Sequence, residues 1–477
     1  MSDVRTPTAA AVALHRHTAM IEALLDGTQA MRDAGRAFLP QFPAETDAAY
    51  RVRCATATLF PAFARTVAVL TGKPFSRPVT VGEDVPEAVR ALLADIDGEG
   101  RGLDAYAASV AGLALAHGFC GVLVDAPPSP KPGATTVAEE RAAGLRPYCV
   151  TIRADAVLGW RTAKRGAGRV LTMLRLLEAV EEPDGEFGEV RVEQVRVLYP
   201  GAWQVWRKSM AAGREEWARY AEGVTTLDVI PFVPVYGLRV DFMAARPPML
   251  DLAFANVEHW QSASDQQTIL HVARVPLLFG RMLGGAEIKV GADSFVASDD
   301  PNADLRYVEH SGAAIEAGRK SILDLEDRMR QAGAELLVIK PGNITVSQTA
   351  ADTEQGASDL QRIVQGLEGA LDQVLGLLAR WLRLPAGGHV QIYQGFGAAT
   401  LAEASAALLV DMEGRGSLSR ETTLGELKRR GILAPEVDVA EEFARIAAER
   451  DARETADDAE EDKAERDDPG GEPGRMA

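Results

Sequence analysis

The sequence predicts an α+β fold, with helical segments on either side of a block of antiparallel strands. Three observations predict it. Helical patterns fill residues 8 to about 72, strand patterns run from Tyr148 to Tyr236, and two helices of roughly 25 residues lie near 249–273 and 313–337. With 477 residues and 47% hydrophobic side chains, the chain is long and apolar enough to build real cores.

The N-terminal third alternates helices with proline-rich breaks. Prolines in "FLPQFPAET" interrupt the first helical stretch, and "CATATLFPAFARTVAVLTG" predicts a buried helix that ends at Gly72. "KPFSRPVTV" then predicts an extended segment. Residues 86 to 117 predict two helices separated by "DIDGEGRGL", and "GFCGVLVDAPP" predicts a buried strand closed by prolines.

The middle of the sequence turns to strands. Residues 126–146 form a Pro-rich stretch, which predicts a surface loop. From Tyr148 to Tyr236, apolar strand patterns such as "VRVEQVRVLYP" are separated by turns such as "EEPDGEFG", which predicts an antiparallel β-meander. The flanking helices are the available layer to cover its apolar face.

Two long helices then bracket a small insert. The first follows Pro247 and Pro248, runs to about Ala273 and has Asp251 in its first turn; the insert, 275–311, holds short strands and turns. In the second helix the apolar and small residues recur in steps of three and four. They are Ile315, Gly318, Ile322, Leu325, Met329, Ala332 and Leu336. So narrow a seam suits a neighbouring helix better than a broad core.

The C-terminal part begins with a breaker, "KPGNITVSQTA", followed by a helix over 353 to 384 that ends at Pro385. "HVQIYQGFG" predicts a short strand. "LSRETTLGELKRRGIL" predicts a helix-turn-like pair, with Ser419 and Thr422 as N-caps. The last residues are acidic with almost no apolar side chains, which predicts a disordered tail.

Charge and cysteine content limit the function classes. Lys and Arg total 51 against 69 Asp and Glu, and the formal charge of −18 argues against general attraction to phosphate backbones. Cys54, Cys120 and Cys149 are far apart and predict three small buried residues in a reducing compartment. No apolar run reaches the roughly 20 residues that span a bilayer, and the start has no signal-peptide layout, so we expect no membrane contact.

A search for catalytic motifs finds none. The seven histidines lack ligand spacing; His15 and His17 predict an exposed pair, and His259 and His271 lie twelve apart on one helix. Gly72-Lys73 precedes a proline, so it is not a P-loop. The acids of "DIDGEG" predict solvated side chains at a turn. We therefore predict no catalytic residue, no metal and no cofactor, and the chain is not expected to be an enzyme.

The order helix, insert, helix, breaker, long helix resembles that of tailed-phage portal proteins. "PPMLDLAFANVEHWQSASDQQTILHVARVPLLFG" resembles a descending stem helix, "AAIEAGRKSILDLEDRMRQAGAELL" a returning one, and "IKPGNITVSQTAAD" a tunnel loop. Five further stretches resemble a portal-like family of tailed phages and prophages that is classed as a domain of unknown function. They are "DGTQAMRDAGRAFLPQFPAETDAAYRVR", "TGKPFSRP", "LLADIDGEG", "IPFVPVYG" and "LSRETTLGELKRRGIL".

This resemblance implies a phage portal fold with eight segments. They are a wing (1–247, helices plus the β-meander 148–236), a stem helix (248–273), a clip (274–312), a second stem helix (313–338), a tunnel loop (339–352), a wing or crown helix and strand (353–400), crown helices (401–450) and a disordered acidic tail (451–477).

The same resemblance implies a ring, usually of twelve subunits, at one vertex of a capsid. The ring is the channel for DNA packaging and ejection. Implied partners are sister subunits, the terminase large subunit, a head-tail adaptor, capsid and scaffold proteins, and double-stranded DNA in transit without sequence specificity. The implied location is the virion of a phage or prophage, after synthesis in the bacterial host cytoplasm. Twelve copies at −18 each carry −216, so such a ring repels duplex DNA as a whole.

Two groups of residues are candidates for facing the DNA. In the tunnel loop they are Lys340, Asn343, Thr345 and Gln348; on the stem they are the cations Arg319, Lys320, Arg328 and Arg330. Spacing offers an alternative for the stem cations. The pairs Glu316–Lys320, Asp324–Arg328 and Glu326–Arg330 are each four apart, the order that favours pairing within a helix.

Two other functions stay open from the sequence. One is another head-to-tail ring component, which would lack the long stem pair. The other is a cytosolic hydrolase with an unrecognised acidic site, which a compact monomer in solution would favour.

Overall fold

The computed structural model describes residues 3–127, 145–211, 214–274, 277–281, 301–308, 312–334, 358–395, 410–411, 413–415, 419–429 and 441–445. The chain divides into two compact units, Met1–Tyr393 and Gln394–Ala477. Most of the Pro-rich loop, much of the predicted clip, the tunnel loop, much of the predicted crown and the acidic tail lie outside the described residues.

The first unit contains ten of the α-helices described below, and the second contains the last one. They are α1 (Ala9–His15), α2 (Thr18–Asp26), α3 (Thr28–Ala34), α4 (Asp47–Thr56), α5 (Ala62–Gly72), α6 (Glu87–Arg90), α7 (Leu103–His117), α8 (Leu250–Ala273), α9 (Ala313–Ala334), α10 (Asp359–Trp381) and α11 (Arg420–Arg429).

The strands that the structure describes all belong to the first unit. They are β1 (Thr80–Val81), β2 (Phe119–Asp125), β3 (Tyr148–Arg153), β4 (Val157–Arg165), β5 (Gly168–Asp184), β6 (Gly188–Tyr199), β7 (Ala202–Ala211), β8 (Arg214–Val224), β9 (Phe232–Tyr236), β10 (Leu238–Asp241), β11 (Ala244–Arg246), β12 (Leu277–Arg281), β13 (Asp304–Val308) and β14 (Val390–Gln391).

Local chemistry sets several helix ends. Thr46 starts α4, because its hydroxyl accepts a hydrogen bond from the backbone N–H of Ala49. Ser358 starts α10 in a reciprocal capping box with Gln361. Gly118 ends α7 in the left-handed region at φ 77°, and a Cβ there would lie 2.3 Å from the backbone carbon of Arg246. Only glycine fits that position.

The predicted β-meander is shorter than 148–236. Five strands, β4 to β8, form an antiparallel sheet in chain order, as the sequence predicted for this region. The strands at the two ends of the predicted block, β3 and β9, instead flank β2 in a separate sheet of order β3-β2-β9. Because β2 is buried along nearly its whole length, it needs a partner on both edges. Those partners lie far apart in the sequence.

The core of the first unit lies around β2 and the helices that pack on it. Helices α7 and α10 both contact β2 and β9. A cluster of buried apolar residues joins this small sheet to the start of the meander, and it includes Phe119, Leu123, Val157, Leu174 and Phe232. The meander is therefore attached at one end to a helix-covered core.

Several smaller predictions need correction. "KPFSRPVTV" is not simply extended, because a 3₁₀ turn at Pro74–Ser76 precedes β1. The acids of "DIDGEG" are not simply solvated. Asp97 is buried and accepts from the backbone N–H groups of Glu99 and Arg101 and from the Arg101 guanidinium. Burial raises the pKa of Asp97, but these hydrogen bonds outweigh burial and hold the pKa below its usual value.

The prediction of buried cysteines is confirmed for two of the three, and the prediction of an exposed histidine pair is wrong. Cys120 and Cys149 are unpaired and buried, and burial raises the pKa of each thiol to about 12. Cys54 is only half-buried. His15 and His17 are not an exposed pair: His15 Nε2 lies 3.0 Å from the carbonyl of Val157, and the ring of His17 packs edge-on against Phe254.

In the second unit, α11 follows Ser419, whose hydroxyl accepts from the backbone N–H of Thr422 at 3.2 Å. Ser419 is thus the predicted N-cap, whereas Thr422 lies inside the helix. Across the described ranges of both units, no helix has the length and apolar content of a membrane span.

Candidate functional site: an antiparallel helix pair

Helices α8 and α9 pack against each other in opposite directions. Gln266 of α8 contacts Ile315 near the start of α9, while Glu258 lies near Arg328 towards its end. Between the helices, β12 and β13 pair antiparallel, from Leu277 opposite Val308 to Arg281 opposite Asp304. The arrangement is an antiparallel helix pair, and the stretch that connects its helices includes a two-stranded ribbon.

The base of the pair is the part that packs on other helices of the unit; it runs from the start of α8 to Asp265 and includes the end of α9. Leu252, Ala253, Asn256 and Trp260 are each at most 1% exposed. Helix α8 contacts α2, α4 and α5, and α9 also contacts α5. The first half of α8 is therefore a core helix of the N-terminal helical layer.

Asn256 fixes α8 to the segment that leads into α5. Its side-chain oxygen accepts from the backbone N–H of Phe63 at 2.9 Å, and its Nδ2 donates to the carbonyl of Phe60 at 2.8 Å. The Phe63 N–H belongs to the first turn of α5, where no intrahelical acceptor exists. One fully buried side chain thus satisfies the end of one helix and positions another.

Arg53 is a second fixed point of the base. Its side chain is 4% exposed and donates to both carboxylate oxygens of Glu45 at 2.8 Å and to the carbonyl of Pro40 at 2.7 Å. Its third nitrogen lies 3.6 Å from Asp265 of α8. The hydrogen bonds from Arg53 lower the pKa of Glu45 below its usual value. This buried ion pair connects α4, the loop before it and α8.

The predicted seam of α9 faces this chain's own helices. Leu325 and Met329 are each 2% exposed, Ile315, Gly318, Ile322 and Ala332 are half-buried, and Leu336 lies outside the described residues. The prediction that the seam packs on a neighbouring helix is confirmed for α8. Leu323, which is not in the seam, is 43% exposed.

Close approach and hydrogen bonding fix the register of the two helices. Gln266 Nε2 donates to the carbonyl of Ile315 at 2.9 Å, and a Cβ on Gly318 would lie 2.1 Å from Gln266 Oε1. Within the base, the buried ring of His259 packs on Phe60, and its Nε2 lies 3.5 Å from Glu326. At 3.5 Å this contact is an ion pair only when the imidazole is protonated.

The distal half of the pair, the end of α8 and the start of α9, is exposed and polar. On α8, Gln267, Thr268, Ile269 and His271 face solvent. The start of α9 is exposed in the same way, at Glu316, Arg319, Lys320, Ser321 and Asp324. Burial therefore falls along both helices from the base towards β12 and β13.

The four predicted stem cations are all exposed, but they differ in their partners. Glu316 pairs with Arg319 at 2.9 Å and not with the predicted Lys320. Arg328 pairs with Glu258 of α8 at 3.5 Å and not with the predicted Asp324. Arg330 pairs with Glu326 at 3.3 Å as the spacing predicted, and also with Asp327. Lys320 has no ion-pair partner within the described part of the chain.

The tunnel-loop candidates Lys340, Asn343, Thr345 and Gln348 lie outside the described residues. Three residues that hold the helix pair in place were assigned no role from the sequence: Arg53, Asn256 and His259. Asn256 and His259 act through partners in distant segments, as Asn256 does with Phe63. Arg53 pairs with Glu45, eight residues earlier, and with Asp265 of α8, and nothing in the local pattern marks these contacts. Within the described ranges, no group of three or more His, Cys, Asp or Glu side chains is placed to hold a metal ion.

Comparisons with known proteins return one family and several solved structures. The family model described as "Domain of unknown function (DUF4055)" matches residues 248–382, a span that contains the helix pair and α10. No curated protein matches the chain.

Two of the similar solved structures are particle necks. One is "Neck of empty GTA particle computed with C6 symmetry", with a TM-score of 0.40 and 14% identity over 85% of this chain and 98% of that chain. The other is "Neck of native GTA particle computed with C12 symmetry", with a TM-score of 0.40 and 15% identity over 83% of this chain and 98% of that chain. A TM-score of 0.40 is a weak likeness and carries no conclusion about function.

Proposed function

We propose that this protein is a portal subunit, which assembles into a ring at a capsid vertex and forms a channel for DNA. The observation that carries the proposal is the helix pair. Its base is held in the core by Asn256 and Arg53, while its distal half is exposed, as are Phe279, Gly280 and Arg281 of β12. This arrangement supports the assignment of the pair as a stem, in which distal halves from neighbouring subunits would line a passage.

Charge on the helix pair suits a wall past which DNA slides. Helix α9 carries four acidic and four basic side chains, and α8 carries three acidic side chains and no Lys or Arg. Most of the cations are already neutralised, because Arg319, Arg328 and Arg330 pair with carboxylates. Lys320 is the best remaining candidate for a weak phosphate contact, which salt would screen. Such a surface repels DNA more than it binds it.

The remaining roles follow from the ring. Terminase would dock at one end to drive DNA through it, and a head-tail adaptor would dock at the other. The tunnel loop would present Lys340, Asn343, Thr345 and Gln348 to the passing duplex. Deletion of residues 342–349 should then leave rings intact while impairing genome filling, and loss of rings would show that the loop is structural instead.

The decisive experiment is to measure the assembly of the purified full chain. A twelve-subunit ring of 51.0-kDa chains has a mass of about 612 kDa, which light scattering and mass photometry resolve easily from a single chain. Negative-stain images should show annular particles with a central hole. Single-chain particles at micromolar concentration across several salt concentrations would overturn the proposal.

A further inference from the structure

The hairpin formed by β5 and β6 ends in an exposed aromatic residue. Phe187 lies in the turn after β5 and is 93% exposed. Three exposed carboxylates lie within three residues of it in the sequence, those of Asp184, Glu186 and Glu189. The nearby Glu182 is excluded from this set because it pairs with Arg207 at 2.7 Å. We call residues 184–189 the hairpin tip.

A large side chain in such a position calls for an explanation. Isolated apolar residues are common on protein surfaces, but a phenyl ring at the end of a long hairpin has no intrachain layer to cover it. Aromatic residues that insert into a partner's pocket are frequent energetic centres of protein interfaces. The tip thus has the chemistry of an anchor, flanked by negatively charged residues.

A cleft with complementary chemistry lies elsewhere in the same unit. It has a volume of about 530 Å³, and apolar side chains that include Phe232, Tyr236 and Leu377 line it. Four arginines also line it. They are Arg165, Arg169, Arg239 and Arg380. We call this site the arginine cleft.

Positive charge exceeds negative charge at the arginine cleft. Asp228 lies 3.7 Å from Arg165 and 3.6 Å from Arg380, so one carboxylate serves two guanidinium groups. Asp241 pairs with Arg169 at 3.4 Å, and Arg239 stacks over the ring of Tyr236. Four arginines against two aspartates leave two positive charges in a chain whose net charge is −18.

The hairpin tip cannot reach the arginine cleft of its own chain. Arg165 and Arg169 flank the turn where β5 begins, whereas the hairpin tip starts at Asp184, where β5 ends. The fifteen residues from Arg169 to Asp184 span about 50 Å at ~3.3 Å per residue of strand. One rigid strand therefore holds the two surfaces apart.

We propose that the hairpin tip of one chain docks in the arginine cleft of a second copy, with Phe187 on the apolar floor and the tip carboxylates against the arginines. Two different surfaces meet in this contact, so it is heterologous and repeats from copy to copy. Repetition closes a ring when the rotation between copies allows it. The contact does not depend on a DNA channel, because it would join copies of the chain in a ring of any function.

Two single substitutions test the two sides of the contact. Phe187→Ala removes the anchor and Arg380→Glu reverses charge at the arginine cleft, and each should weaken self-association about thirtyfold, as expected for a central interface residue. Met210→Ala is the matched control for the first, because Met210 is 69% exposed on the neighbouring hairpin. Arg362→Glu is the control for the second, since it makes the same charge change at another exposed position of α10. Sedimentation velocity over a concentration series measures all four, with circular dichroism to verify folding.

Mixing the two variants separates this contact from a general loss of assembly. The Phe187→Ala chain keeps its arginine cleft and the Arg380→Glu chain keeps its hairpin tip, so a mixture should form one-to-one pairs of about 102 kDa that do not extend. Unchanged assembly of both variants, or absence of the pairs in the mixture, would overturn the contact while leaving wild-type rings, and hence the proposed function, untouched. A wild-type chain that stays monomeric would overturn both.

Discussion

The base and the distal half of the helix pair are built from the same two helices but stabilised in different ways. At the base, Asn256 and Arg53 are buried and make directional hydrogen bonds to backbone and carboxylate groups. In the distal half, Arg319 and Glu316 are exposed, and their ion pair lies within one helix. Breaking a buried polar contact costs several kcal/mol of the free energy of unfolding, about 3–5 kcal/mol for a buried ion pair, whereas an exposed ion pair contributes only about 0.2–1 kcal/mol.

This difference separates two tasks. The base fixes where the pair starts and in which direction it runs, because Asn256 and Arg53 each connect α8 to another segment of the chain. The charges of the distal half are solvated, so substitutions there, or contacts with other molecules, should change the free energy of unfolding only slightly.

Replacing Arg53 should have the largest effect. Arg53→Met keeps most of the side-chain volume but leaves the Glu45 carboxylate buried without its partner, and we expect a loss of about 3–5 kcal/mol in the free energy of unfolding. Urea denaturation measures it. Arg51→Met, at an exposed position two residues earlier on α4, is the control and should change stability by less than about 0.5 kcal/mol. Equal effects of the two substitutions would show that the base does not depend on this ion pair.

The same ion pair should make stability depend on pH. The hydrogen bonds from Arg53 hold the pKa of Glu45 below its usual 4.5, so the folded chain binds that proton less readily than the unfolded chain. The stabilisation is fully present above pH 4.5 and is lost as the pH falls through the lowered pKa. Wild type should therefore exceed Glu45→Gln in stability at neutral pH, and the two should converge in acid.

A neighbouring group has the opposite sign and must be separated from this effect. Burial raises the pKa of Asp265, so its protonation favours the folded chain as the pH falls. Asp265 is present in both wild type and Glu45→Gln, and comparing the two proteins largely removes its contribution. Thermal unfolding at pH values between 3 and 7 gives both curves. A constant gap between them across this range would contradict the role assigned to Glu45.

The base also shows which structural features can be predicted from the sequence and which cannot. Periodicity in α9 identified the side that holds Leu325 and Met329, because helical spacing alone decides which residues share a face. Ser419 was also identified correctly as an N-cap, because a capping hydroxyl bonds a backbone N–H only three residues away. Local pattern could not reveal Asn256, whose partner Phe63 lies 193 residues away. It also grouped β3 and β9 with the meander, since a strand's own sequence does not state which sheet it joins.

Pairing of the stem cations failed for a related reason. Spacing of four residues favours Asp324 as the partner of Arg328, but a long guanidinium side chain next to another helix has a second choice. Arg328 reaches Glu258 of α8 instead. The packing of α8 against α9 therefore determines which charged side chains remain free to face a channel. The sequence pattern of one helix holds no information about that packing.

The smallest effect is expected at this contact between Arg328 and Glu258, an exposed ion pair on the surface of the base. Both side chains are more than half exposed and 3.5 Å apart, so their coupling free energy should be below about 1 kcal/mol. A double-mutant cycle with Arg328→Ala and Glu258→Ala measures it, and raising the salt concentration should reduce it further. A coupling above about 2 kcal/mol that persists in high salt would mean that this exposed ion pair stabilises the helix pair as strongly as the buried contacts of Arg53 do, and exposure would then not separate the two kinds of contact.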